Sequence, residues 1–133
     1  MYGDTTTIRA LARDLRDRAD DIRTAADRLA ARADGVDWRG LTADAMRRHA
    51  HDRCAALRRT AALHDDAADA LDRHAREVDR LEDLIAAVER KVHGLIDAAR
   101  DKLLPDGLDG LLHRFSPPLP GSRDWLSVDL PGI

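Results

Sequence analysis

His49, His51 and Cys54 are the residues of this chain with the chemistry to hold a metal ion, because imidazole nitrogen and thiolate sulfur are donors that zinc favours. A spacing of three places His51 and Cys54 on one face of a helix. No further ligands recur in a metal-binding pattern, so the three read as solvated or core-edge side chains and no metal or cofactor is expected. His64 and His74 fall within an apolar seam, where protonation is unfavourable and could make an interface pH-sensitive. Polar residues that fix helix register are the alternative reading of the same pair. Ser116, Ser122 and Ser127 have no histidine or carboxylate arranged around them as a base, and neither a phosphate loop nor a local carboxylate pair occurs. The expectation is a non-enzymatic protein with no catalytic residues.

The elements that would position these residues follow from patterning. The chain has 133 residues, 44% hydrophobic but only 3% aromatic. That suits one domain with a core of Ala, Leu, Val and Ile. Charged residues make up 35% yet nearly cancel, to a formal −3, which argues against a nucleic-acid partner recognised through a positive field. One cysteine cannot make an internal disulfide. No stretch reaches the roughly 18 consecutive apolar residues of a membrane span. The opening Met1-Tyr2-Gly3-Asp4-Thr5 lacks the basic and apolar regions of a cleavable secretory signal.

Ile8, Leu15, Ile22, Leu29 and Val36 recur every seven residues, with alanines between them, which predicts an amphipathic first helix over about 5–34. Thr5, Thr6 and Thr7 offer N-caps, and Asp34-Gly35 an exit. After Gly40 the sevenfold row resumes as Ala43, Ala50, Leu57, His64, Leu71, Val78, Ile85, Val92 and Ala99. Leu81, Val88 and Leu95 lie on its companion row, predicting a second helix over about 42–103. Asp65-Asp66 could instead cap a new helix and fold the chain into three segments. If unbroken, the second helix spans roughly 90 Å against roughly 40 Å for the first. Half of its apolar stripe is then left to be covered by a second chain or by the chain's own tail. That tail, 104–133, is rich in Pro and Gly and cannot be one helix. It still carries Phe115, Trp125, Leu126 and Leu130, as a docking strap would.

Between the two patterns stands Trp38-Arg39-Gly40, followed by Leu41-Thr42-Ala43-Asp44-Ala45-Met46. A Trp and a Gly two apart in the turn of two heptad-patterned helices resemble the WXG superfamily of small helical-hairpin proteins tied to type VII (ESX) secretion. The likeness covers roughly residues 5–100. It implies an all-α antiparallel hairpin that pairs as a homodimer or heterodimer into a four-helix bundle. It also implies no enzymatic activity, contact with secretion machinery, and exit from actinobacterial or related cells without a cleaved signal peptide. Trp38 and Gly40 form the turn motif under this reading, and Ala43, Ala45 and Met46 fill the small and apolar positions after it. The family's export signal, a Tyr followed four residues later by an acidic residue, has no counterpart beyond the second helix. Only His93 and Asp97 keep its spacing, as a degenerate version.

Trp38 has two compatible readings: a staple between the helix ends, with Gly40 supplying a permissive backbone, or a recognition residue for a neighbouring chain. The start of helix two is basic (Arg47, Arg48, Arg53, Arg58, Arg59) and its continuation acidic (Asp65, Asp66, Asp69, Asp72, Glu77, Asp79, Glu82, Asp83), which favours an antiparallel partner. The expected partner interface is Leu57, Leu71, Val78, Leu81, Ile85, Val88, Val92 and Leu95. Expected organisation is therefore a hairpin over 1–103 with its turn at 35–41, then an irregular tail. The expected location is the cytoplasm, with export possible. Two other functions fit the same pattern: an intracellular coiled-coil adaptor, or a targeting module related to a larger secreted toxin.

Overall fold

The protein is described by a computed structural model covering residues 5–101 and 114–130. Helix α1 spans Thr5–Asp34, helix α2 spans Leu41–Arg100, and a short 3₁₀ turn spans Arg123–Ser127. Among the described residues there is no strand. The fold is all-α, with two long helices packed against each other as an antiparallel hairpin.

The sequence explains where each helix stops. Within α1 there is no Gly or Pro, and the helix closes where the Gly35 N–H donates to the Ala31 carbonyl at 2.9 Å. Helix α2 opens with the Asp44 N–H donating to the Gly40 carbonyl at 3.0 Å, and Asp44 sits in its first turn, where the helix dipole favours a carboxylate. From there α2 continues unbroken through Asp65-Asp66. Asp65 does not cap a new helix; it accepts a hydrogen bond from Arg23 on α1.

The chain divides into two compact units within α2, one over Thr5–Ala75 and the other from Arg76 onward. The boundary expected at 103/104 lies outside the described residues. Helix α1 is half the length of α2, so the later turns of α2 find their neighbours in the tail and cluster with it.

In the unit Thr5–Ala75 the seam is made of alanine. Ala12, Ala19, Ala26 and Ala33 on α1 are buried at heptad spacing, and they are matched on α2 by Ala43, Ala50, Cys54, Ala61, Ala68 and Ala75. The larger Ile8, Leu15, Ile22 and Leu29, expected to form this seam, are only half-buried. The reason is geometric: a methyl side chain lets two helices approach at the short end of the usual 8–10 Å separation. The larger side chains are displaced to the seam's edge. In the second unit the core is Ile85, Val92, Trp125 and Leu130, with Val88, Leu95, Phe115 and Leu126 packed against it. The C-terminal strap therefore docks on the chain's own α2. Leu108, Leu111 and Leu112 lie outside the described residues.

Candidate functional site

The turn between the helices is organised by Arg47. Its Nη2 donates to the carbonyl of Val36 at 2.7 Å and to that of Trp38. Its Nε donates to the carbonyl of Ala33 at 3.3 Å, and Nη1 meets Asp44 at 3.3 Å. One planar guanidinium thus gathers carbonyls from the end of α1 and from the loop, a fork geometry that lysine lacks. The staple between the helix ends is this arginine. Trp38 is 51% exposed, beside an 89% exposed Leu41, so the turn presents its indole outward. Gly40 has φ +115 with open space where a Cβ would stand. Its requirement is conformational and not steric, so Gly40→Ala should cost about 1–3 kcal/mol, read as a lowered urea midpoint with an unchanged slope.

The two flanks of the alanine seam are chemically unlike. Ile8, Leu15, Ile22 and Leu29 each precede a buried alanine of α1 by four residues, while Arg16 and Arg23 each follow one by four. On a helix these offsets fall on opposite sides of the seam. The same holds on α2, where Leu57, His64 and Leu71 precede Ala61, Ala68 and Ala75, and Arg58, Asp65 and Asp72 follow Cys54, Ala61 and Ala68.

Ion pairs bridge one flank. Arg16 Nη2 reaches Asp69 at 2.8 Å and Asp72 at 2.7 Å. Arg23 binds Asp65, Arg58 binds Asp27 at 2.9 Å, and His51 lies 2.9 Å from Asp34. Hydrogen bonds to Asp69 and then Asp72 raise the pKa of Arg16, and one to Asp65 raises that of Arg23. In the second unit a hydrogen bond from Arg80 holds the Glu77 carboxyl below its ordinary range and raises the arginine in turn. That pair's contribution is present above the ordinary carboxylate range and is lost as pH falls through the depressed value. It is small because both groups are exposed. Arg58 of the basic block and Asp65, Asp69 and Asp72 of the acidic block thus find their complement on α1 of the same chain.

The opposite flank is apolar. It carries the half-buried Ile8, Leu15, Ile22 and Leu29 with Leu57 and Leu71, and an open groove of about 390 Å³ lined by Leu29, Arg53, Ala56, Leu57 and Thr60. His64 sits on this flank, half-buried, with Nδ1 2.9 Å from the Thr60 carbonyl. Because a carbonyl only accepts, that nitrogen carries a proton. His74 is exposed.

The structure does not bring His49, His51 and Cys54 together. Cys54 is fully buried, its thiol donating to the Ala26 carbonyl at 3.2 Å. His51 is turned to Asp34 and His49 is exposed.

Of the expected interface residues, Leu57 and Leu71 lie half-buried on the apolar flank. Ile85 and Val92 are buried under the tail, with Val88 and Leu95 packed alongside. Val78 is also buried, and Leu81 is half-buried. His93 and Asp97 are both exposed on α2, and the His93 ring lies 5.9 Å from Trp125.

Sequence reasoning missed Arg47, whose carbonyl partners have no pattern in the sequence, and Glu89, which accepts from the Gly121 N–H. The buried alanine row was the readable signal, since its spacing is as regular as that of the larger residues. Compared with known proteins, the chain matches no family model, no curated protein and no solved structure.

Proposed function

We propose that this protein is a non-enzymatic pairing module, a helical hairpin of the WXG kind. It would dock a second hairpin, a copy of itself or a related chain, and serve type VII secretion as a substrate or as a substrate's partner. The observation that carries this reading is the unlike pair of flanks. Ion pairs close one side of the alanine seam, while the other leaves Leu15, Ile22, Leu29, Leu57 and Leu71 half-buried. Each such side chain has part of about 1.5–3 kcal/mol still to gain from full burial. A row of them at heptad spacing is the pattern that a second pair of helices completes into a bundle. The outward Trp38 at the turn and the sequence Trp38-Arg39-Gly40 support the family reading.

Two measurements test it. Leu57→Asp should reduce the mass in solution by one chain without loss of helix content, since Leu57 lies at the edge of the intrachain seam and not within it. An unchanged mass would remove the proposed interface. Secretion-dependent appearance of the full chain in culture filtrate supports the type VII role. Strict retention in cells that export other substrates favours an intracellular adaptor instead.

A further inference from the structure

From Arg76 onward α2 keeps the signature of a helix–helix seam. Val78, Ile85, Val92 and Ala99 recur every seven residues, with Leu81, Val88 and Leu95 on the neighbouring row. A strictly periodic stripe of this kind is what another helix requires. Among the described residues, what covers Ile85 and Val92 is not a helix. The described tail contains one five-residue 3₁₀ turn and otherwise irregular chain, from which Trp125 and Leu130 insert against Ile85 and Val92.

The tail is also assembled largely on its own terms. The Trp125 indole N–H donates to the Leu119 carbonyl at 2.9 Å. The Ser122 N–H donates to that same carbonyl at 3.0 Å, and the Ser122 hydroxyl accepts from the Asp124 N–H at 3.2 Å. Lifting the tail therefore strands no indole donor on α2. The Glu89 carboxylate that accepts from the Gly121 N–H is half-buried beside an exposed Gly121, where water can reach and replace that bond. The cluster joining tail and helix is apolar, and apolar contact is non-directional, so a helix can supply it as well as a strap can.

We propose that the second half of α2 is a self-association surface, masked by the tail and taken by the same segment of a second, antiparallel copy when the tail lifts. The occupant is argued from the segment's self-complementarity. Antiparallel pairing about the midpoint between Ala86 and Ala87 sets Ile85 against Val88, Leu81 against Val92 and Val78 against Leu95. It also brings the stretch 77–83, in which carboxylates outnumber arginines, opposite 90–96, which carries Arg90 and Lys91 and no carboxylate, so that Glu82 faces Lys91 and Asp83 faces Arg90. Complementary blocks favour this orientation over a parallel one. The surface is separate from the apolar flank of the unit Thr5–Ala75, and the proposal does not depend on that flank or on the family reading.

The test uses the full chain, with mass followed by sedimentation across a wide concentration range. Trp125→Ala and Leu130→Asp should each double the mass relative to the unaltered chain at equal concentration. Adding a peptide of residues 114–130 in excess should reverse the doubling of Trp125→Ala, as should Val88→Asp in the same chain. Leu57→Asp should leave that doubling intact, so failure here and failure of the hairpin pairing are read from different variants. An unchanged mass in both tail variants overturns the proposal, as does a doubling that survives Val88→Asp. Loss of helix content in both overturns it as well, because the surface must stay helical once uncovered.

Discussion

Ala26→Leu should be among the most damaging single substitutions in the unit Thr5–Ala75, although it makes the chain more hydrophobic and improves no one's view of a conservative change. Ala26 is fully buried, and its carbonyl receives the Cys54 thiol at 3.2 Å. With its methyl fully enclosed between the helices, three added carbons force the helices apart or push the new side chain out of its rotamer well. Overpacking of this sort costs about 1–3 kcal/mol and occasionally more. Ala25→Leu, one residue away and exposed, should stay within about 0.5 kcal/mol of the parent. Urea denaturation followed by helix content reads both variants. Equal midpoints would mean that the alanine seam tolerates separation and does not define the packing.

Trp125→Ala should produce the largest effect from Arg76 onward. Trp125 is 1% exposed and lies at the centre of the cluster with Ile85, Val92 and Leu130. Truncating a buried tryptophan costs about 3–5 kcal/mol. Because each 1.4 kcal/mol is a factor of ten, the undocked population should rise by roughly a hundredfold or more. Amide exchange should accelerate across 114–130, while amides of α1 and of the first turns of α2 keep their protection. Uniform acceleration along the whole chain would show instead that the two compact units unfold together.

The helices and their ends were legible in the sequence because their signals are local. Heptad spacing, the run without Gly or Pro, and Asp34-Gly35 with Gly40 act within a few residues of where they are read. The choice of seam was less legible. Two heptad rows run along α1, one of alanine and one of Ile and Leu, and hydrophobicity alone favours the larger side chains. Close approach of the two backbones selects the smaller ones, and that depends on the partner helix. The tail was legible as a strap through Phe115, Trp125 and Leu130, but not its target, since a buried indole carries no record of which stripe it meets. Arg47 was read only as one charge in a basic block; its fork becomes a turn-organiser once the chain has folded back.

The alanine seam has one more consequence, which gives the exposed ion pairs a purpose that their energy does not. Ala12, Ala19, Ala26 and Ala33 repeat every seven residues, as do Ala61, Ala68 and Ala75. Sliding α1 along α2 by one heptad toward Ala75, about 10.5 Å, would move Ala26 from Cys54 to Ala61 and set small side chain on small side chain again. The six residues 35–40 can stretch to about 20 Å, so chain length alone does not forbid the slip. Charge opposes it: the shift carries Asp27 from Arg58 to Asp65, while Arg23 passes from Asp65 to Asp72. The slipped arrangement confronts two carboxylates where the native one pairs Asp27 with Arg58. Exposed pairs worth at most about 1 kcal/mol apiece add little to the depth of the native state. They act as a vernier between two neighbouring marks on the same scale, favouring the native alignment over the slipped one.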